Sequence, residues 1–135
     1  MSKVAVVFWS ATGNTETMAN CVAEGANGTI VPCSEMNVAK LAEFDAVAFG
    51  CPAMGAEQLE ESEFEPMFSD LEGSLNGKKI ALFGSYGWGG SYMQDWEARV
   101  KDAGAELVAA GVLALGAPDD EAEAKLAEAG KLLAE

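Results

Sequence analysis

Ser10, Thr12, Gly13, Asn14 and Thr15 sit between an apolar run, Val4-Ala5-Val6-Val7-Phe8-Trp9, and a helix-compatible segment that starts at Glu16. Small polar residues at a strand-to-helix junction leave the backbone N–H groups of a helix N-terminus uncovered, which suits an anion. The hydroxyls of Ser10, Thr12 and Thr15 and the amide of Asn14 add neutral donors. No lysine or arginine occurs between Lys3 and Lys40. The loop therefore lacks the lysine of a nucleoside-triphosphate loop, and Gly13 alone does not make a dinucleotide loop. The pattern fits one phosphate held by neutral donors, on a cofactor whose other end is read elsewhere. The same residues also make an ordinary capped helix start.

Two more loops carry unusual side chains. The first reads Cys51-Pro52-Ala53-Met54-Gly55-Ala56-Glu57 and the second Ser85-Tyr86-Gly87-Trp88-Gly89-Gly90. Met54 offers a flexible thioether and Trp88 a broad flat ring, with Tyr86 nearby and glycines that let backbone approach a ligand. A planar aromatic ligand between Met54 and Trp88 would use both. Capping of the core, or burial in a protein interface, is the competing reading of the two side chains.

Composition excludes several chemistries. The 135 residues contain no histidine, and Cys21, Cys33 and Cys51 make no C-x-x-C or metal spacing. Most zinc sites and every Ser-His or Cys-His pair are thereby removed, and no catalytic residue or metal ligand is assigned. The thiols are expected to be free and buried, with Cys51 near a ligand. The formal net charge of −14 argues against nucleic acid and anionic membrane and suits docking on a basic protein face. A merely soluble acidic protein would carry the same charge. No apolar run approaches a membrane span, and the chain passes from Met-Ser-Lys straight into a strand. The expectation is one cytoplasmic domain over residues 1–135 that needs nothing more than a monomer.

The elements that must position these loops alternate. Strands are expected at 4–9, 28–33, 44–50, 78–84 and 106–115, and helices at 14–25, 37–43, 63–74, 90–103 and 119–133, the first helix ending at Gly25. Such alternation implies an α/β fold with a doubly wound parallel sheet, and ligands bind at the carboxyl ends of its strands, at the switch in strand order. The segments after strands one, three and four should therefore meet.

The chain resembles the flavodoxins, in particular the short-chain flavodoxins of anaerobic bacteria. The motifs are Trp9-Ser10-Ala11-Thr12-Gly13-Asn14-Thr15, Cys51-Pro52-Ala53-Met54-Gly55, Glu61-Ser62-Glu63-Phe64-Glu65-Pro66 and Gly84-Ser85-Tyr86-Gly87-Trp88-Gly89. The resemblance implies a flavodoxin-like five-stranded parallel sheet of order 2-1-3-4-5, helices on both faces, and non-covalent FMN. It also implies roles. Ser10, Ala11, Thr12, Gly13, Asn14 and Thr15 would hold the 5′-phosphate, and Met54 and Trp88 would flank the isoalloxazine. Glu57 would accept from the flavin N3–H, and the Gly55–Ala56 peptide would face N5. Pro52, Ala53, Gly55, Gly87 and Gly89, with Gly84, Ser85 and Tyr86 alongside, would line the pyrimidine and ribityl portions. Some relatives place an asparagine where this chain has Gly116, so Leu115 to Pro118 stay outside the expected site.

The function implied is low-potential electron transport by single electrons between redox partner proteins, with reductases and ferredoxin-linked enzymes docking at the acidic flavin edge. No lysine or arginine lies between Lys40 and Lys78 or between Lys79 and Arg99, while Glu57, Glu60, Glu61, Glu63, Glu65, Asp70 and Glu72 crowd one stretch. Negative charge disfavours the anionic two-electron-reduced flavin and so lowers the second potential. A solvated helix face is the alternative for part of that run. Where relatives often carry a turn-former, this chain has Ala56, expected to bias the turn toward the flipped form that stabilises the semiquinone. The rival functions are an FMN-dependent quinone or nitro reductase on the same fold, for which there is little spare chain, and a phosphorylation-switched receiver. The receiver is excluded because the acids and lysine it needs are replaced by Trp9-Ser10, Gly50-Cys51 and Leu115-Gly116.

Overall fold

The computed structural model describes residues 3–9, 13–52, 63–86, 92–115 and 117–135. Its elements are β1 (Val4–Phe8), α1 (Asn14–Ala26), β2 (Thr29–Pro32), a 3-10 turn at Cys33–Glu35, α2 (Val38–Leu41), β3 (Ala46–Gly50), α3 (Phe64–Glu72), β4 (Lys79–Tyr86), α4 (Tyr92–Asp102), β5 (Glu106–Leu107), β6 (Val112–Leu115) and α5 (Asp120–Ala134). All strand pairs are parallel, in the order β2-β1-β3-β4, with β5 and β6 both on the far edge of β4. The expected order 2-1-3-4-5 therefore holds, with its last position shared by two short strands.

The inner strands β1, β3 and β4 are buried on both faces, which is why they read as continuous apolar runs. Ala5, Val7, Val47, Phe49, Ile80 and Leu82 pack under α3 and α4, against Phe64, Phe68, Leu71, Met93, Trp96 and Val100. The alternate residues Val4, Val6, Ala46, Ala48, Ala81 and Phe83 face Met18, Ala19 and Val22 of α1 and Leu126, Ala129 and Leu133 of α5. The first face is a nest of aromatic rings. Phe49 meets Phe68 edge-on at 5.1 Å, and Trp96 meets Phe64 and Phe68 at 5.6 and 5.8 Å, spacings at which ring quadrupoles attract.

Two expectations are corrected. Residues 106–115 do not form one strand. Between Lys79 and Phe83 β4 advances four positions while its partner advances six, from Glu106 to Val112. The surplus bulges out over residues 108–111. Glu97 of α4 fixes the bulge by accepting from the Gly111 N–H at 2.7 Å. The second correction concerns Gly25, which does not end the first helix. α1 runs on to Ala26, and Asn27 takes the left-handed turn with φ 52°. Gly28 N–H then reaches the Ala23 carbonyl at 2.9 Å and Asn27 N–H the Glu24 carbonyl at 3.4 Å, a Schellman closure. Gly25 serves packing instead, since a β-carbon there would lie 2.2 Å from the Ala127 carbonyl oxygen of α5.

Among the described residues no helix is long and apolar enough to cross a membrane.

Candidate functional site

The carboxyl ends of β1, β3 and β4 are stitched together by backbone. Trp9 N–H donates to the Gly50 carbonyl at 3.0 Å and Cys51 N–H to the Phe83 carbonyl at 3.1 Å, each one residue past its strand. From this edge the chain turns into α1 at Gly13, whose φ of +93° is open to glycine at little cost. Thr17 steadies the turn, its N–H and its hydroxyl both donating to the Gly13 carbonyl at 3.0 Å. The N–H groups of the following turn, from Asn14 onward, head the helix.

Side chains then join the three ends. Thr15 and Ser85 are buried, and their hydroxyl oxygens lie 3.3 Å apart. This brings a residue expected at the phosphate together with one expected along the ribityl chain. The Trp9 indole N–H donates to a Glu63 carboxylate oxygen at 3.3 Å, tying the end of β1 to the start of α3. Tyr92, the first residue of α4, donates its buried hydroxyl to the Cys51 carbonyl at 2.8 Å. Gly84 makes room for that bond, since a β-carbon there would stand 2.1 Å from the Tyr92 oxygen and 2.2 Å from the Cys51 oxygen.

Of the expected site residues, Gly13, Asn14, Thr15, Pro52, Gly84, Ser85 and the backbone of Tyr86 are brought to this edge. Ser10, Ala11, Thr12, Ala53, Met54, Gly55, Ala56, Glu57, Gly87, Trp88 and Gly89 lie outside the described residues, as do Glu60, Glu61 and Gly116. A groove of about 720 Å³ lies elsewhere, between the bulge at 108–111 and α5, and no expected site residue lines it. Cys33 and Cys51 are buried and Cys21 is half-buried. Burial first, then Glu123 and Glu24, push the Cys21 thiol above its ordinary pKa and make it a poor nucleophile.

Part of the acid run is neutralised internally. Arg99 of α4 donates from Nη1 to Glu65 at 2.7 Å and from Nε and Nη2 to Glu72 at 2.9 and 2.7 Å. Its guanidinium lies 4.8 Å from the centre of the Phe68 ring. Ser69 bridges inward, donating to Glu65 at 2.6 Å. The bond from Arg99 holds the Glu65 carboxyl below the ordinary carboxylate range, against its partial desolvation, and Ser69 adds to it. Sequence reasoning missed this clamp, and it missed Tyr92 as a site-edge residue. For Tyr92 the signal was its place directly after a glycine-rich loop.

The donor set fits a phosphorylated flavin. The mutual bond of Thr15 and Ser85 uses one of the pair's two hydroxyl hydrogens, which leaves the other to donate. Residues 13–15, 51–52 and 84–86 contain no cation, so a single phosphate would be held by neutral groups and helix N–H donors.

Comparison with known proteins agrees. The flavodoxin family model matches residues 6–130. A flavodoxin of Megasphaera elsdenii is 46% identical over 128 residues, covering 90% of this chain and 93% of its own. A flavodoxin of Clostridium beijerinckii is 43% identical over 135 residues, with 96% and 97% covered. The solution structure of two-electron reduced Megasphaera elsdenii flavodoxin superposes with a TM-score of 0.89 at 42% identity, covering 97% of this chain and 98% of that one. With sequence and fold agreeing along nearly its whole length, the chain belongs to the flavodoxin family, electron carriers that bind FMN rather than enzymes.

Proposed function

We propose that this flavodoxin works at low potential, as one domain over residues 1–135, with its FMN seated on the loops that follow β1, β3 and β4. The flavin supplies the one-electron chemistry, and the protein binds, orients and tunes. Ser10, Ala11, Thr12, Gly13, Asn14 and Thr15 hold the phosphate. Met54 and Trp88 enclose the ring, and Glu57 accepts at its pyrimidine edge. Pro52, Ala53, Gly55 and Ala56, with Gly84, Ser85, Tyr86, Gly87 and Gly89, line the remainder. The observation that carries this reading is the convergence of three strand ends through the Thr15–Ser85 and Tyr92–Cys51 bonds. No observation favours the reductase alternative, since the matched relatives are named flavodoxins.

Redox partner proteins such as reductases and ferredoxin-linked enzymes dock at the acidic edge near Glu57, Glu60 and Glu61, whose charge speeds encounter with a basic face. A net charge of −14 opposes self-association, and among the described residues only Ile30 and Val38 are large exposed apolar side chains, which supports a monomer. A visible spectrum followed through anaerobic stepwise reduction tests the function. Yellow protein passing through blue to colourless is expected. Bleaching in a single step would instead indicate a two-electron reductase, and failure to colour with added FMN would overturn the site.

A further inference from the structure

We propose that Tyr92 is a positioning residue for the flavin: by donating to the Cys51 carbonyl it fixes the backbone of Cys51 and Pro52 just past β3, and thereby the gap between the two one-electron potentials. This rests on the reading above that the loops after β3 and β4 enclose the ring.

Tyr92 directly follows the second of these loops, and Cys51 stands at the root of the first. One hydrogen bond of 2.8 Å therefore joins the end of one loop to the beginning of the other. The Cys51 residue is held on both sides, by Tyr92 at its carbonyl and by Phe83 at its N–H. Pro52 comes next, with φ locked near −65°, and it restricts Cys51 to extended conformations. The phenol ring cannot drift from this post, because it is 97% buried and stacks on Trp96 at 6.4 Å. Burial raises the phenol pKa above its ordinary value, so the hydroxyl remains a donor throughout the working pH range. Gly84 completes the device, since any side chain there would enter the bond.

The shift of each potential from that of free FMN measures how much more tightly the protein holds FMN in one redox state than in the next. An anchored Cys51–Pro52 backbone meets each redox state of the flavin from one fixed place. Without the Tyr92 bond that backbone is no longer fixed, and the protein discriminates less between the states. Tyr92→Phe keeps the ring and its stacking and removes only the donor. The expected result is a roughly threefold loss in discrimination, which narrows the gap between the potentials by about 30 mV at about 59 mV per tenfold. FMN affinity and the melting temperature of the apoprotein are measured in parallel. Gly84→Ala approaches the same bond from the other side and should narrow the gap too. If either variant folds and keeps both wild-type potentials, the inference is overturned, whatever happens to affinity or melting. If wild-type protein fails to bind FMN at all, the site reading falls and takes this inference with it.

Discussion

The hydroxyls of Thr15 and Ser85 lie 3.3 Å apart although seventy positions separate them in the chain. Both are buried, so the bond stays dry and links the start of α1 to the end of β4. Removing either hydroxyl deletes a neutral donor worth about 1 kcal/mol. Ser85→Ala and Thr15→Val should each weaken FMN binding by about threefold to tenfold, and their combination by less than the product, since the two share one bond. Riboflavin, which has no phosphate, separates the roles. Its affinity for the apoprotein should change little in Thr15→Val; an equal loss for both ligands would move Thr15 away from the phosphate end.

Arg99 accounts for two of the acids that sequence alone assigns to the flavin's surroundings. Glu65 and Glu72 lie seven residues apart on one face of α3, with Ser69 between them, and one guanidinium spans both. Charge-assisted, partly buried bonds exceed surface pairs in strength. Arg99→Met should lower apoprotein stability by about 1–3 kcal/mol at neutral pH. The pH dependence follows from the lowered pKa of Glu65. The stabilisation is full above the unfolded carboxylate value of about 4.3 and is lost as pH falls through the lower folded value. Wild-type denaturation midpoints should drop on acidification through that window, and Arg99→Met should flatten the drop.

The same clamp divides the acids by their effect on potential. With Arg99, the Glu65–Glu72 pair leaves one net negative charge, whereas the sequence between Lys40 and Lys78 gives Glu57, Glu60 and Glu61 no neighbouring cation. Screening further weakens distant charges beyond about 8–10 Å. Glu57→Gln, Glu60→Gln and Glu61→Gln should therefore raise the second-electron potential more than Glu65→Gln or Glu72→Gln. Potentiometry at low ionic strength makes the comparison clearest. Equal shifts across all five would mean that position along the run is irrelevant.

What the sequence disclosed depended on range. β1 and β3, the α3 stripe of Phe64, Met67, Phe68 and Leu71, and the meeting of three strand ends all rest on local periodicity plus one topological rule. The split of the last strand could not be read there. Residues 107–115 keep an apolar character throughout, and the bulge depends on Glu97 and on Met93, whose sulfur would meet a Gly111 β-carbon at 2.4 Å. Arg99 was equally hidden, because its partners lie 27 and 34 positions away on another helix. Sequence marked Gly25 as a stop because glycine commonly ends helices. Only the three-dimensional neighbour, α5, reveals its other use.

That use gives the sharpest prediction. Gly25 of α1 and Gly130 of α5 face one another's backbones: added β-carbons would lie 2.2 Å from the Ala127 oxygen and 2.4 Å from the Val22 oxygen. Backbone cannot rotate aside as a flexible side chain can, so an added methyl must push the helices apart over small residues such as Ala19 and Ala129, which have little to refill the gap. In an exposed helix, glycine to alanine would gain about 1 kcal/mol from propensity. Here the crowding outweighs that gain, and Gly25→Ala and Gly130→Ala should each cost about 1–3 kcal/mol in urea denaturation of the apoprotein. Gly73 is the control. It ends α3 at φ −69°, with no atom within 4 Å of an added β-carbon, so Gly73→Ala should be neutral or stabilise by up to about 1 kcal/mol. Neutral behaviour at all three sites would show that α1 and α5 do not pack backbone to backbone.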